Sequence, residues 1–392
     1  MEPAMIQPRT AVFAAVALLW ISFAAPVRAD DLIVEKKTFT LPSYTTVAGE
    51  TIKSVKVGWE SAGTLNADKS NAVLITHFFS GNSHAFGKYA SDDKTAGYWD
   101  AIIGPGKAID TNKYFVLSSD TLVNLNVNMP NVVTTGPATI DPDTGKPYGM
   151  TFPVISIKDF VRVEKALIDS LGITKLKAVI GASMGGLQAY EWAQSYPDSV
   201  QRIVAVVAYA TPEPYLIGWL DMWAQPIRLD PKWNNGDYYG KAPPLDGLKA
   251  ALKLVTLQAN SWEWARTTFG TAPAEGGKDP AKAIANKFKI EGFLDQAATA
   301  RAGLADANHF LYLCKANQLA DVDPAKIKTP ALILYAPNDL IFYEPIVRET
   351  LEKITAAGGS AESGTLIGPN GHLDAFTAIG QGADKITSFL AK

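Results

Sequence analysis

The hydrophobic residues of this chain fall into short continuous runs, which alternate with stretches of helical periodicity. Apolar runs typical of strands occupy 72–77, 114–118, 176–180, 202–208 and 330–336. Residues 156–171 carry apolar side chains roughly on one helix face, and 383–390 predicts a last helix. Strands of a parallel sheet read as near-continuous apolar runs because helices cover both faces of the sheet. The pattern therefore predicts an α/β fold with a mostly parallel sheet and flanking helices, preceded by β-structure in 30–60.

This alternation is interrupted in the second half of the chain. Helical runs at 247–258 and 281–289 are separated by prolines and glycines, and no convincing strand occurs in this region. Such an interruption between two strands of a sheet indicates an inserted helical lid. We therefore expect a core formed by residues 30–210 and 328–392, with residues 211–327 as the lid.

One short segment has the composition of a nucleophile elbow. Residues 181–185 read Gly-Ala-Ser-Met-Gly, follow an apolar run and precede a helix-forming stretch. In such a strand–turn–helix element the serine adopts strained backbone angles, and small residues on either side let the chain pass itself closely. The serine oxygen then projects above the sheet, so Ser183 is the predicted nucleophile.

Two polar residues far downstream of the elbow complete the chemistry that a serine nucleophile requires. The serine needs a base, the base needs an acid that orients it, and elbow enzymes carry them in the order Ser, Asp or Glu, His. Asp339 lies in a turn after an apolar run, and His372 follows in a glycine-rich loop. We predict Ser183, Asp339 and His372 as the catalytic residues. Two other carboxylates, Glu344 and Asp374, are the alternatives for the acid.

Two backbone N–H groups are expected to stabilise the negative oxygen that forms when the serine attacks a carbonyl. One belongs to the residue after the nucleophile, Met184, and the other comes from the loop after an earlier strand. The run 71–77 predicts this strand, and Phe79 is the predicted second donor, with Phe78 as the alternative. His77 is expected to be a structural hydrogen-bonding residue under this loop.

The first residues have the organisation of a secretory signal peptide. Arg9 precedes an apolar run over 11–25, and small residues at Val27 and Ala29 fit cleavage after Ala29. We expect residues 1–29 to be removed, which places the mature chain in the periplasm or outside the cell without stable membrane insertion. The alternative is an uncleaved anchor, but the run is short for a span, which needs about 20 residues.

Net charge, motif spacing and cysteine count set further limits on the partners, cofactors and chemistry that we expect. The 392 residues carry a formal net charge of −3 and no basic run, so a nucleic-acid partner is not expected. No motif has the spacing of a metal or phosphate site, so no cofactor and no metal are predicted. The only cysteine, Cys314, allows no intramolecular disulfide, and its apolar helical setting predicts a buried, inert thiol.

Several longer segments match one known family in the same order and cover most of the mature chain. They are 104–112, 144–149, 152–154, 181–186, 230–231, 233–239, 306–308 and 371–372. These segments resemble the homoserine O-acetyltransferase family. The resemblance implies an α/β-hydrolase fold with a helical lid and a Ser-Asp-His triad, in which Ser183, Asp339 and His372 take the three roles. It also implies a homodimer that forms through the lid.

The chain departs from that family at the positions that bind the amino-acid substrate. An arginine of the family, six residues before an Asp-Pro pair, is replaced by Ala224, and Pro226 separates this position from Arg228. In the family an acid meets the substrate's amino group, and here an inserted Leu373 displaces that acid. The glycine-rich segment that follows the third strand in the family has a different sequence here, at residues 122–128. A buried carboxylate without a cationic partner is unfavourable, so homoserine is not the expected substrate.

These residues lead to three hypotheses of function. The first is an exported serine hydrolase that cleaves a small-molecule carboxylic ester through an acyl-enzyme, since an acyl-CoA-dependent enzyme finds almost no acyl-CoA outside the cytoplasm. The second is an O-acyltransferase that moves the acyl group to an alcohol acceptor. The third is a binding protein on the same scaffold without turnover, which the intact serine, aspartate and histidine disfavour.

Overall fold

The fold is organised around one eight-stranded sheet, seen in a computed structural model that describes residues 32–392. The β-strands are β1 (Lys37–Thr45), β2 (Thr51–Ala62), β3 (Ala72–Thr76), β4 (Ile103–Gly104), β5 (Ile109–Asp110), β6 (Phe115–Ser119), β7 (Ala178–Ala182), β8 (Ile203–Val206), β9 (Ala331–Tyr335) and β10 (Ala361–Thr365). Their order in the large sheet is β1-β2-β6-β3-β7-β8-β9-β10, and β4 pairs with β5 separately.

The strands from β6 to β10 in this order all run parallel, while β1 and β2 are antiparallel additions at one edge. Every residue of β3, β7, β8 and β9 is buried. Gly181 of β7 pairs with Thr76 of β3 and with Ala205 of β8. Because parallel strands end at the same edge of a sheet, the loops after β3, β7, β9 and β10 share one rim.

Helices cover both faces of this sheet. The α-helices are α1 (Ile157–Ser170), α2 (Met184–Ser195), α3 (Pro214–Leu229), α4 (Leu245–Ala259), α5 (Trp262–Phe269), α6 (Lys289–Ala302), α7 (Ala307–Gln318), α8 (Glu344–Ala356), α9 (Asp374–Thr377) and α10 (Ala383–Ala391). Leu74 of β3 packs into a core cluster with Phe160 of α1, whereas Val73 packs into a second cluster with Ile386 of α10. The predicted α/β architecture with flanking helices is therefore confirmed.

Five helices, α3 to α7, lie between β8 and β9 in the stretch predicted as the lid. Helix α3 packs against α4 and α7, and α4 packs against α6. The helix predicted at 281–289 is wrong, because only a single 3-10 turn forms at Pro280–Lys282. The backbone N–H of Ala274 donates to Lys287 at 2.8 Å, so the flanking segments pair with each other and α6 begins only at Lys289. The bounds of the lid stay predictions.

Cys314 lies in α7, where it is 2% exposed. Burial raises the pKa of its thiol, so the reactive thiolate form is disfavoured in the folded protein.

Residues 1–29, the predicted signal peptide, lie outside the described residues. Within residues 32–392 no helix is long and apolar enough to cross a membrane. The same part of the chain contains no group of three or more His, Cys, Asp or Glu side chains that could hold a metal ion.

Candidate active site

Ser183 stands at the turn between β7 and α2 in a strained conformation. Its backbone angles are φ 57° and ψ −122°, a region that a residue with a side chain rarely adopts. The turn needs glycine, since a Cβ on Gly185 would lie 2.2 Å from the backbone oxygen of Thr76. The N–H of Ser183 donates to Val206 at 2.9 Å and ties the turn to β8. This is the geometry that nucleophile elbows share.

Asp339 and His372 are in direct contact at the same rim. The Nδ1–H of His372 donates to Asp339 Oδ2 at 2.7 Å. The other oxygen of this carboxylate accepts the N–H groups of Ile341 at 2.7 Å and Phe342 at 3.0 Å. The ring of Phe342 also stacks on the imidazole at a centroid distance of 5.7 Å. The carboxylate is therefore fixed by its own loop while it orients the imidazole.

Ser183 and His372, the predicted nucleophile and base, follow different strands that end at this rim. Ser183 follows β7, and His372 follows β10. Within the described residues, Ser183 Oγ forms no hydrogen bond. Such a bond is often long or poorly aligned before substrate binds and tightens only in the complex. The structure thus joins Asp339 to His372 directly and places Ser183 on the same edge of the sheet.

The two alternative acids have other partners. Glu344 begins α8, and its carboxylate forms an ion pair with Arg348 at 2.5 Å. Asp374 is buried and accepts hydrogen bonds from Thr377 Oγ1 at 2.8 Å and from the Asn370 N–H at 3.1 Å. Burial raises the pKa of the Asp374 carboxyl, which the hydrogen bonds oppose. Asp339 is the carboxylate of the three that is bonded to the imidazole.

Within residues 32–392, no hydrogen bond is found from the backbone N–H groups of Phe79 and Met184. Two bonds hold the loop after β3 against the elbow. Thr76 Oγ1 donates to Gly185 O at 2.8 Å, and Gln188 Nε2 donates to His77 O at 3.1 Å. Free N–H groups at a helix start and on a neighbouring loop are the donors that an oxyanion requires.

The remaining histidines near the rim have structural hydrogen bonds. The Nδ1–H of His77 donates to Phe78 O at 2.8 Å, and its Nε2 accepts the N–H of Thr121 at 3.1 Å. His309 similarly donates to Asn124 O at 2.8 Å. Burial lowers the pKa of both imidazoles, which favours their neutral form. They support the loops around the rim and are not positioned as the base.

Aromatic side chains surround the loop that carries Phe79. Its ring packs edge-to-face against Trp223 of α3 at 5.7 Å and against Phe310 of α7 at 5.2 Å. Sequence reasoning did not single out Phe310, nor the N–H groups of Ile341 and Phe342. The sequence does contain a signal for these two N–H groups, because an aspartate after a strand commonly accepts backbone N–H groups two and three residues further along the chain.

The strained serine at the carboxyl edge of a parallel sheet and the Asp–His pair at the same edge are typical of one class of enzyme. A family model described as the alpha/beta hydrolase fold matches residues 129–378 of the chain. The protein is therefore an enzyme with the α/β-hydrolase fold, as the resemblance implied.

Comparison with curated relatives identifies the family within this class of enzyme. Homoserine O-acetyltransferase from Carboxydothermus hydrogenoformans is 36% identical over 88% of this chain and 91% of that protein. The same enzyme from Methanococcoides burtonii is 41% identical over 70% of this chain, which spans only 55% of that longer protein. The chain belongs to the homoserine O-acetyltransferase family.

Solved structures of two kinds superpose on this chain. Homoserine O-acetyltransferase from Bacillus anthracis has a TM-score of 0.88 at 34% identity, covering 92% of this chain and 98% of that one. A protein described as esterase E22 has a TM-score of 0.87 at 45% identity, covering 91% and 100%. Similar folds and sequences therefore occur in a named transferase and in a named esterase.

Proposed function

We propose that this protein hydrolyses a small carboxylic ester through an acyl-enzyme on Ser183. His372 takes the proton from the serine hydroxyl as the oxygen attacks the carbonyl carbon, and returns it to the departing alcohol. Asp339 keeps the imidazole in the tautomer that can accept this proton. The N–H groups of Phe79 and Met184 stabilise the oxyanion. Water, activated by His372, then attacks the acyl-enzyme and releases the carboxylic acid.

The observation that carries this proposal is the 2.7 Å bond between His372 and Asp339 at the rim where the strained Ser183 lies. Strain of this kind is retained at functional sites because the surrounding structure stabilises it. A loss of one oxyanion donor typically costs about 3–4 kcal/mol of transition-state stabilisation, so the N–H groups of Phe79 and Met184 would each contribute on that order to the proposed reaction.

Two features of the lid and the base loop favour an ester over homoserine. Ala224 occupies the position of the family's substrate-binding arginine and is 4% exposed. The Nη2 of Arg228 forms an ion pair with Asp221 Oδ1 at 2.5 Å, which disfavours Arg228 as a replacement for that arginine. Asp374, displaced by Leu373, is bonded to Asn370 and Thr377. A substrate with a free carboxylate and ammonium group therefore lacks its expected partners.

The second candidate is transfer of the acyl group to an alcohol. The curated relatives described above are named homoserine O-acetyltransferases, and this comparison favours transfer over hydrolysis. Transfer and hydrolysis share one acyl-enzyme and differ only in the nucleophile that attacks it. A site that excludes water and holds an acceptor favours transfer, and an open site favours hydrolysis.

A panel of p-nitrophenyl esters of graded acyl length, with and without alcohol acceptors, tests both candidates. We expect hydrolysis of short-chain esters and loss of this activity and of fluorophosphonate labelling in Ser183→Ala. Full activity of this variant would overturn the serine mechanism. A new ester product in the presence of an alcohol, or O-acetylhomoserine formed from homoserine and acetyl-CoA, would establish the transferase instead.

Export of the mature chain is part of the proposal. The N-terminal sequence supports removal of residues 1–29, and an extracytoplasmic enzyme would meet ester substrates and very little acyl-CoA. Mass analysis of material from the periplasm or the medium should give a chain that begins at Asp30. A chain that retains residues 1–29 and sediments with membranes would instead support the anchor.

A homodimer through the lid is also proposed. Helix α3 carries apolar side chains on its outer surface at helical spacing, and these include Tyr215, Met222 and Leu229, which are 58%, 54% and 70% exposed. An exposed apolar stripe of this kind is typical of an interface. A twofold-symmetric pair would bury the stripe of each copy against that of the other.

A further inference from the structure

The junction between two lid helices is hydrogen-bonded to both loops that carry the acid and the base. Helix α4 ends at Ala259 and α5 begins at Trp262. Two side chains of this junction, Gln258 and Ser261, are 8% and 2% exposed and donate hydrogen bonds to residues outside the lid. The lid is thus connected to the site through specific polar contacts.

Gln258 binds the acid loop. Its Nε2–H donates to the backbone oxygen of Leu340 at 3.0 Å. Leu340 lies between Asp339 and Ile341, and the N–H of Ile341 binds the Asp339 carboxylate at 2.7 Å. The Gln258 amide therefore binds the peptide unit whose N–H group holds the carboxylate.

Ser261 binds the base loop. Its Oγ–H donates to the backbone oxygen of Pro369, three residues before His372. The two segments approach closely, since a Cβ on Gly371 would lie 3.0 Å from Ser261 N and 3.2 Å from Asn338 O. Gly371 also has φ +64°, so both the space and the backbone angle favour glycine.

The same junction reaches the predicted oxyanion loop. The Nε1–H of Trp223 donates to Gln258 Oε1 at 2.7 Å. The indole ring of the same tryptophan packs on the ring of Phe79 at a centroid distance of 5.7 Å. Gln258 therefore uses both ends of its amide, one toward α3 and one toward the acid loop.

We propose that Gln258 and Ser261 are positioning residues for the chemistry of this site, an inference that rests on the proposed function. The acid loop follows β9 and the base loop follows β10, so the Asp–His pair needs support that spans both. Besides the bond between His372 and Asp339, Asn338 Nδ2 donates across the two loops to Gly368 O at 2.9 Å. The lid junction adds a bond to each loop, and the residues that donate these two bonds are buried. In the described part of the chain, neither side chain is hydrogen-bonded to Ser183, Asp339 or His372.

The variant Gln258→Leu tests this role because it removes both amide bonds and keeps most of the side-chain volume. With a short-chain p-nitrophenyl ester, kcat should fall about 10-fold to 100-fold, since small misplacements of catalytic groups have effects of this size. KM should change by less than about threefold, because contacts with the substrate are unaltered. The rate of fluorophosphonate labelling should fall by the same factor as kcat.

Asn317→Leu is the matched control. Asn317 is another buried amide of the lid, and its Nδ2 donates only within α7, to Leu313 O at 2.8 Å. This variant should keep kcat within about twofold even when its Tm falls. An equal loss of kcat in the control, or full kcat in a folded Gln258→Leu, would show that Gln258 has no positioning role. Ser183→Ala distinguishes a failure of this inference from a failure of the proposed function, because only an active Ser183→Ala contradicts the proposed function itself.

A pair of variants at Ser261 decides the question if Gln258→Leu does not fold. Ser261→Thr keeps the hydroxyl and should keep kcat within about threefold, whereas Ser261→Ala should lower kcat with little change in KM. Ser261→Ala also loses a helix cap, since Ser261 Oγ accepts the N–H of Trp264 at 3.1 Å. The lost cap lowers Tm, which is measured separately. Equal kcat in the two variants would overturn the proposal.

Discussion

His372 and Asp339 are joined at 2.7 Å through only one of the two carboxylate oxygens. The second oxygen is occupied by the N–H groups of Ile341 and Phe342. The carboxylate therefore cannot rotate without breaking three hydrogen bonds, and the direction of the imidazole is set before a substrate arrives. Preorganisation of this kind reduces the entropic part of the barrier.

Asp339→Asn should abolish most of the ester hydrolysis while the protein stays folded. The amide keeps the shape of the side chain but favours the wrong imidazole tautomer, and such a change lowers kcat by about 10⁴-fold in serine enzymes. Steady-state kinetics with a p-nitrophenyl ester checks this expectation. Asp374→Asn is the control, and an equal loss in that variant would show that the effect is not specific to Asp339.

Gly185→Ala should destabilise the elbow. The added methyl group would lie 2.2 Å from Thr76 O, and overpacking of a buried site costs about 1–3 kcal/mol or more. Gly303→Ala is the matched control, because a Cβ there meets nothing within 4 Å and its φ is −69°. This second change should leave stability equal or raise it by up to about 1 kcal/mol. Urea unfolding of both variants measures the difference.

Glu164 should make the protein less stable as the pH rises. Burial raises the pKa of this carboxyl to about 8, and the bond from Trp192 Nε1–H at 2.7 Å opposes the shift only in part. The unfolded chain releases the proton near the ordinary value of 4.5, so the contribution of Glu164 is fully present below that pH. It declines at up to about 1.4 kcal/mol per pH unit until the folded protein also releases the proton near pH 8.

Glu164→Gln should therefore flatten the pH dependence of unfolding. Between pH 6 and pH 8 the wild type should lose on the order of 2 kcal/mol more than this variant. Urea unfolding at the two pH values provides the measurement, with Glu349→Gln as the exposed control. Parallel pH profiles for the wild type and Glu164→Gln would show that the buried carboxyl is not protonated in the folded state.

Met222→Lys should weaken the proposed dimer. The substitution places a charge in the apolar stripe of α3, and its desolvation should raise the Kd more than about tenfold, which corresponds to 1.4 kcal/mol. Sedimentation velocity over a concentration series measures this Kd. Ile284→Lys changes a fully exposed apolar residue outside α3 and should leave the association unchanged. A monomeric wild type would contradict the dimer.

The main fold was predictable because its signals are local. Buried parallel strands give unbroken apolar runs, and the run before Ser183 corresponds to β7 at Ala178–Ala182. The elbow carries its own signal, since the turn requires small residues at fixed positions. The order of Asp339 and His372 after the serine led to a pair that the structure joins. Roles of these residues in catalysis stay predictions until the variants are measured.

Other parts of the fold were beyond sequence reasoning for physical reasons. Strand β10 reads Ala-Glu-Ser-Gly-Thr and lies at the edge of the sheet, so it lacks the apolar pattern that marks its neighbours. The helix predicted at 281–289 failed because Ala274 and Lys287 pair across that loop. The bond from Gln258 to Leu340 has no local signature, since it links a side chain to a backbone oxygen 82 positions away.

Cys314 gives the lid a built-in reporter of its own opening. The chain has one thiol, and it is shielded within α7. A maleimide or a disulfide reagent can modify it only in molecules whose lid has come apart, so labelling kinetics without any engineered probe would follow that event alone. Comparison with the loss of ester hydrolysis would then reveal whether the lid and the sheet unfold as one unit or in succession.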